Sequence, residues 1–516
     1  MEAFTNFVSW RHIATTVAVY FATLVIYRLF LHPLARFPGP RLAAISRWYE
    51  AYYDVVKNGQ YTFKIAELHK KYGPIIRISP YELHVNDSAF YNTLYCQDGR
   101  WNKYDWAVDA FAAKGAPLFT VDHNVHRARR QPLNPFFSKM KVASRQDQIR
   151  KHLYKLRVRL SKFAVSRQTI NLGAALTAFT RDVANEFILG KAYNCLDRDD
   201  FDIAQLTASQ GAGHIWRLSK HIRWVAPALR AIPVDWIMKY GDNDTKLFFS
   251  HLQAILQETM QDTERIMTAA SSSSPDDKDP RTMVHEILES SLPASEKSFV
   301  RVFEDVSTTT GAGFETTASA LRLIFFHLFS NAHILQRLRA ELASTNARFA
   351  NVSEAEDLDL KTLEQLPYLT LVLMEGLRLS PAIATRMARV APDRDLFYRE
   401  WRIPAGTPVG MTTILMHTDE TVYPEPRRFN PDRWMDSDAQ RKVDKAFAPF
   451  SRGTRICLGM HLAWAEMYMI VAALAQHFDF QFEGATAEDF ECTSDQFAVG
   501  TKGKGMLIAT VTSRRD

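Results

Sequence analysis

The stretch FAPFSRGTRICLGMHLAWAE, Phe447 to Glu466, sets one cysteine among glycines, arginines and a phenylalanine, then runs straight into an apolar helical pattern. A cysteine is buried filler, half of a disulfide, a metal ligand or a nucleophile, and each role needs different neighbours. The other three cysteines, Cys96, Cys195 and Cys492, lie far from Cys457 and form no CxxC pair. That spacing argues against a zinc site and against a disulfide framework, and it fits a reducing compartment. A nucleophilic cysteine wants a histidine base. His461 is near in sequence, but one turn on in the helix, where ordinary packing is the plainer reading.

Phe450, Gly453, Arg455, Cys457 and Gly459 fall in the pattern FxxGxRxCxG. A thiolate needs positive potential and N–H donors, and the N-terminus of the helix that follows Cys457 supplies both. Gly453 and Gly459 let a large flat ligand lie close, Phe450 can cover the sulfur, and Arg455 can bind an anionic group. A lone thiolate with these neighbours suits haem iron and its propionates, for which cysteine is one established proximal ligand.

Outward from this loop, STTTGAGFETTASALRLIFFHLF, Ser307 to Phe329, places Gly311 and Gly313 in helical sequence, where each costs about 1 kcal/mol relative to alanine. Either the glycines and threonines open the helix for a bound group, with Glu315 and Thr316 relaying protons, or they mark a helix start with Glu315 on a solvated face. In LVLMEGLRLSP, Glu375 and Arg378 are three apart on one helical face and can pair; an exposed pair contributes only about 0 to 1 kcal/mol. The Pro-rich YPEPRRFNPDRW, Tyr423 to Trp434, offers Arg433 as a third member that pins the coil before the cysteine loop.

The 516 residues are 47% hydrophobic, enough for a large core, and they carry a net charge of only +6 with acids and bases interspersed. No clustered basic stripe with aromatic platforms is present, which argues against nucleic-acid binding. The run IATTVAVYFATLVIYRLFL, Ile13 to Leu31, has the length of a bilayer span, and Arg28 near its end can snorkel to the interface. Arg28, Arg36 and Arg41 at or after its end, against Arg11 before it, put the large domain in the cytosol. FPGPR, Phe37 to Arg41, reads as a stiff hinge. The expected organisation is an N-terminal segment 1–12, a transmembrane anchor 13–31, a proline-rich hinge 32–41 and one catalytic domain 42–516. That domain is mainly α with a minor β-sheet region. PIIRISPYELHV reads as two strands about a Ser79-Pro80 turn, WRIPAGTPVGM as strands about Pro404-Ala405-Gly406, and GMLIATVT as a late strand. SSSSPDDKDP, Ser271 to Pro280, reads as an exposed loop.

Taken together and in this order, these segments resemble a cytochrome P-450 over nearly the whole chain. The stretches KYGPIIRISPYELHV and HRARRQPLNPFFS are similar to the filamentous-fungal secondary-metabolism branch that includes trichodiene oxygenase. The resemblance implies a haem b with Cys457 as axial thiolate and proton delivery by Glu315 and Thr316. It also implies a structural triad of Glu375, Arg378 and Arg433. Propionates would be bound by Arg130 in a WxxxR-like helix, Arg389 and Arg455, with His126 where that motif has tryptophan; Phe450 and Gly459 would border the cofactor. Phe111, Ala312, Ile383, Ala384 and Val499 would stand near the distal haem face. The implied reaction is oxygen insertion into a lipophilic natural product, a terpenoid or meroterpenoid ahead of a polyketide. Electrons would come from NADPH-cytochrome P-450 reductase on the same endoplasmic-reticulum membrane. A redox-neutral haem-thiolate isomerase or dehydratase, or a haem-binding sensor without turnover, is the alternative.

Overall fold

Apolar residues at three- and four-residue spacing build long helices through the middle of the chain. The computed structural model describes residues 10–111, 113–240, 243–272, 281–349, 358–435 and 446–514. The main helices are α1 (Trp10–Ile26), α2 (Tyr61–Tyr72), α3 (His123–Arg130), α4 (Gln146–Ser166), α5 (Leu172–Leu189), α6 (Ile203–His221), α7 (Asn243–Ser272), α8 (Phe299–Phe329), α9 (Ala332–Phe349), α10 (Pro367–Leu379) and α11 (Met460–His477). Helix α5 is buried on nearly every side, as its all-round apolar sequence requires. It packs along α8, which also touches α7, α10 and α11. The main core, with Phe179, Val183, Leu321, Phe325, Leu373 and Ile470 at its heart, sits between these helices.

Helix α8 starts at Phe299, so Gly311 and Gly313 lie in its middle and do not mark its start. A Cβ on Gly313 would come within 3.0 Å of the Ala184 Cβ on α5, whereas one on Gly311 would meet nothing within 4 Å. One glycine therefore serves helix packing, and the other leaves an open face.

The strands are β1 (Ile75–Arg77), β2 (Leu83–Val85), β3 (Asn102–Lys103), β4 (Thr169–Asn171), β5 (Arg389–Val390), β6 (Leu396–Tyr398), β7 (Trp401–Ile403), β8 (Pro408–Gly410), β9 (Phe478–Phe482), β10 (Cys492–Gln496), β11 (Ala498–Thr501) and β12 (Ile508–Ser513). The expected β1–β2 hairpin forms, with Ile75 opposite Val85. Strands β7 and β8 also form, but not with each other: β7 pairs with β6, while β8 lies between β2 and β5 in the sheet β1-β2-β8-β5-β3. All three residues of β8 are buried, which suits a strand flanked on both sides; β7 keeps one side chain exposed.

At the N-terminus, α1 continues through a π-turn to Leu31, a 22-residue stretch of mean hydropathy 1.7 with no residue buried. One expectation changes here. Arg28 does not reach freely towards an interface: its guanidinium donates to the Ile45 carbonyl and, at 2.7 Å, to the Tyr81 hydroxyl. FPGPR, read as a stiff hinge, is held against the domain. Phe37 is buried and stacks on Trp401 at 4.9 Å, and the Arg77 N–H donates to the Pro38 carbonyl. These contacts weld the base of the helix to the first sheet. Of the expected Ser271–Pro280 loop, residues 273–280 lie outside the described residues.

Where α8 crosses α10, Gly376 has no room for a side chain, since a Cβ would fall 2.1 Å from Ile324 Cγ1. Ile324 is fully buried and cannot move aside cheaply. Gly376→Ala is expected to cost about 1–3 kcal/mol, read as a lower melting temperature; an unchanged melting temperature would show that the helices separate freely.

Candidate functional site

The cysteine loop is shaped by its backbone. Ser451 and Gly453 take positive φ angles of 61° and 73°, and the Cys457 N–H donates to the Phe450 carbonyl at 3.0 Å. A Cβ on Gly453 would strike the Cys96 carbonyl oxygen at 2.4 Å. Gly453 therefore serves a left-handed turn packed on the Tyr95–Cys96 backbone, where the sequence pointed to ligand approach. Gly459 differs: a Cβ there would meet nothing within 4 Å, and it leads directly into α11. The Phe450 ring packs near Trp464 of α11. The Cys457 side chain is exposed, yet burial by surrounding protein pushes its thiol up, opposed by the Gly459 N–H and Arg130. A group can meet both descriptions when it lines a cleft. His461 instead borders a depression with Lys139, Glu364 and Trp464.

Four cationic side chains and a histidine gather beside this loop. Arg130, in the last turn of α3, donates to the Ile456 carbonyl and to Asn134 Oδ1. Arg455 is buried and spends its terminal nitrogens on the carbonyls of Thr120 (2.7 Å) and Val121 (2.9 Å). Arg389, on β5, lies over the Tyr95 ring. Lys103, on β3 opposite Arg389, is buried and donates to the Leu118 carbonyl; the sequence reading missed it, and only its pairing with β5 reveals it. Burial first, then the neighbouring guanidiniums of Arg389 and Arg130, pulls Arg455 down to about 9. The same two causes, with Arg455 foremost among the cations, hold Lys103 far below its ordinary value. His126 is buried and kept neutral by desolvation and by Arg455 and Lys103. Among the described residues, Arg389 Nη2 and Arg455 Nε are buried N–H groups with no acceptor. Such a cluster is costly without a counter-anion, and its donors fit the two carboxylates of a haem.

Behind the loop, the Glu375–Arg378 pair is not the exposed pair that spacing alone would favour. Both side chains are 0% exposed and joined by two hydrogen bonds of 2.8 and 2.9 Å. Arg433 Nε donates to Glu375 Oε1 at 2.9 Å, so the three residues do meet. Two further partners were not anticipated. Trp434 Nε1 donates to Glu375 Oε2 at 3.0 Å. His417 Nδ1 bonds the Arg378 carbonyl, and its Nε2 accepts from the Ala448 N–H. The ring of His417 thus transmits the position of α10 to the start of the cysteine loop.

On α8, the Thr316 hydroxyl donates to the Ala312 carbonyl at 3.0 Å. Glu315 bonds through Oε1 to Arg322, two turns along the helix, while Oε2 is buried with no partner among the described residues. Arg322 is in turn fixed by the Thr177 hydroxyl at 2.8 Å. Glu315 is therefore neither on a solvated face nor free to swing. Ala312, like Gly311, is exposed along this helix. Three other segments, about Phe111, Ile383 and Val499, meet one another. Gly115, four residues past Phe111, donates to Glu304 of α8 at 2.6 Å. Ile383 bridges to Ala498, the Ala384 N–H donates to the Phe497 carbonyl, and the Val499 N–H to the Ala382 carbonyl. Phe111, Ile383 and Val499 are half-buried. Ala384 is 0% exposed, so it acts through its backbone. The ring of Phe111 stacks on Phe119 at 4.3 Å and meets Phe497 edge-on at 4.7 Å. Phe119 and Phe497 carried no periodic signal, because they sit in turns.

A family profile described as cytochrome P-450 matches residues 49–508. Among curated relatives, the cytochrome P-450 monooxygenase tpcC of Cochliobolus heterostrophus is 38% identical, covering 88% of this chain and 85% of its own. The tryptophan 6-hydroxylase fscE of Fusarium equiseti is 37% identical, covering 94% of each. The cytochrome P-450 monooxygenase TRI4 of Fusarium sporotrichioides is 34% identical, covering 93% of this chain and 90% of its own. With its cysteine loop, cation cluster and buried triad in the order that the sequence resemblance implies, this chain belongs to the cytochrome P-450 family, as a haem-thiolate monooxygenase of the kind found in fungal secondary metabolism.

Proposed function

We propose that Cys457 is the axial thiolate of a haem b, and that the chain hydroxylates or epoxidises a lipophilic, ring-bearing natural-product intermediate, a terpenoid or meroterpenoid ahead of a polyketide. The observation that carries the cofactor placement is the set of Lys103, Arg130, Arg389 and Arg455, with orphaned N–H groups, beside an accessible cysteine at a helix N-terminus. Haem held there supplies oxygen activation, and thiolate ligation favours O–O cleavage. The chain's own groups do the rest. Lys103, Arg130, Arg389 and Arg455 bind the propionates, with neutral His126 beside them. Phe450 and Gly459 border the proximal face. Glu315, braced by Arg322 and with one oxygen unpartnered, passes protons to Thr316, whose hydroxyl rests on the Ala312 carbonyl.

Phe111, Ala312, Ile383 and Val499 border the substrate, and Ala384 positions the turn that bears Phe497. Apolar and aromatic walls of this kind suit a rigid lipophile. The N-terminal apolar helix anchors the domain on the cytosolic side of the endoplasmic-reticulum membrane, where NADPH-cytochrome P-450 reductase delivers electrons. The relative named as a tryptophan 6-hydroxylase makes an indole the second candidate, and titration with tryptophan and N-acetyltryptophan distinguishes the two by which ligand shifts the haem spin state. A redox-neutral isomerase or dehydratase has no need of the Glu315–Thr316 pair.

The test is reconstitution with reductase and NADPH, reading oxygen-dependent product. Thr316→Val removes the hydroxyl but keeps the shape. Product formation is expected to fall by about a hundredfold, the low end of what a positioned proton donor contributes, while NADPH consumption continues. If product per NADPH stayed at the wild-type ratio, Thr316 would have no part in proton delivery.

A further inference from the structure

One face of α6 carries Gly213, Trp216, Arg217, Lys220 and His221, at spacings that align on a helix. Gly213 admits the β10–β11 turn, since a Cβ there would fall 2.6 Å from the Gln496 Cβ. Lys220 is 2% exposed and lies 2.5 Å from Asp54 and 3.0 Å from Glu50, while His221 bonds Asp54 at 3.0 Å. Arg386 completes the group through Glu50 (2.9 Å) and Glu82 (2.7 Å). Glu50, Asp54 and His221 are close enough to share a metal ion, but the Lys220 ammonium already stands between the two carboxylates. This buried cluster clamps the end of α6, and the Lys220 Nζ sits 4.6 Å from the centre of the Trp216 ring.

Trp216 is thereby held in the aromatic wall, stacked against Phe111 at 6.1 Å and edge-on to Phe497 at 5.5 Å. The residue is only 4% exposed, yet among the described residues its indole Nε1–H has no acceptor. A buried donor left unmade is costly, and indole N–H groups in such places normally find a partner. Among the described residues, the rings packed on Trp216 are those of Phe111 and Phe497, and neither offers an acceptor.

We propose that Trp216 is a specificity-determining residue whose Nε1–H donates to an acceptor oxygen on the substrate, and that Lys220 is the positioning residue that holds the indole in place. This rests on the reading that Phe111, Ile383 and Val499 border the substrate. It follows that the substrate is a ring-bearing lipophile already carrying a carbonyl, ether or hydroxyl oxygen. A bare hydrocarbon would leave the donor unmade, so an earlier oxygenation or an oxygen-retaining cyclisation must supply the substrate.

The experiment uses the full-length holoenzyme and a panel of polycyclic ketones, each paired with the hydrocarbon lacking the oxygen, titrated by the haem spin-state shift. Wild type is expected to bind the preferred ketone about tenfold or more tightly than its hydrocarbon, the discrimination that one buried hydrogen bond supports. Trp216→Phe is expected to bring ketone and hydrocarbon affinities to within about twofold of each other, whatever the change common to both, with the carbon monoxide spectrum unchanged. Lys220→Met is expected to weaken the preference, and Lys220→Arg to restore it. The proposal is overturned if Trp216→Phe keeps the ketone preference, or if wild type prefers no ketone, absence of binding included. A wild-type protein without the thiolate-type carbon monoxide band would instead overturn the haem placement, which this readout separates from the role of Trp216.

Discussion

Cys457→Ala is expected to give a folded chain without monooxygenase activity. The sulfur is not part of the core: Cys457 is exposed, and its loop is closed by the backbone bond to Phe450 and by the Gly453 turn against Cys96. Neither needs the side chain. What disappears is the soft anionic ligand that a haem-thiolate enzyme requires. Far-UV circular dichroism should match wild type. The reduced carbon monoxide adduct should lose its far-shifted Soret band, and NADPH- and oxygen-dependent product should drop to the no-enzyme level. Cys457→Ser, nearly isosteric with an oxygen ligand, should also lose the band. Retained activity in the alanine variant would sink the assignment of this residue, and it would reopen the nucleophile reading that His461 leaves unsupported.

The second large effect is at Glu375. Its two oxygens accept from Arg378, Arg433, Trp434 and the Asn430 N–H. Glu375→Gln keeps the volume but leaves two buried guanidiniums without their anion. Breaking a buried pair by removing one partner costs about 3–5 kcal/mol, a large part of a typical stability of about 5–15 kcal/mol. The loss should appear as a lower urea midpoint. It should also appear as poor haem retention, because Arg378 and His417 hold the Ala448 end of the cysteine loop. A Glu375→Gln protein that purifies with full haem and a wild-type urea midpoint would show that the loop is pinned elsewhere. Arg433→Lys, which keeps the charge near the partly open side of the cluster, should lose much less.

Much of the helical fold is legible in the sequence, because helix periodicity is a local signal. Helices α5, α8, α10 and α11 arise from apolar spacing that a short window contains. The β7–β8 region shows the limit: both strands are local, but their partners are set by which of them is buried on both sides. The site divides in the same way. Arg130, Arg389 and Arg455 were visible as arginines in motifs, whereas Lys103 joins them only because β3 pairs with β5. Phe119, Trp216 and Phe497 form one wall from three turns and helices that are far apart in the chain.

By itself, the sequence pointed to the chemistry: one cysteine just before a helical pattern, set among glycines and arginines, and an acid–alcohol pair beside glycines in helical sequence. These are properties of residue type and short spacing, so they survive without coordinates. Only the tertiary structure decided the setting of that chemistry. It buried the Glu375–Arg378 pair that spacing alone would leave exposed, and it braced Glu315 on Arg322. It also docked the proline-rich segment on β1 and clamped α6 so that Trp216 lies in the wall, its N–H without an acceptor among the described residues. The reason is physical: burial and hydrogen-bond partnership are relations between distant segments, and no residue carries them until the chain has folded.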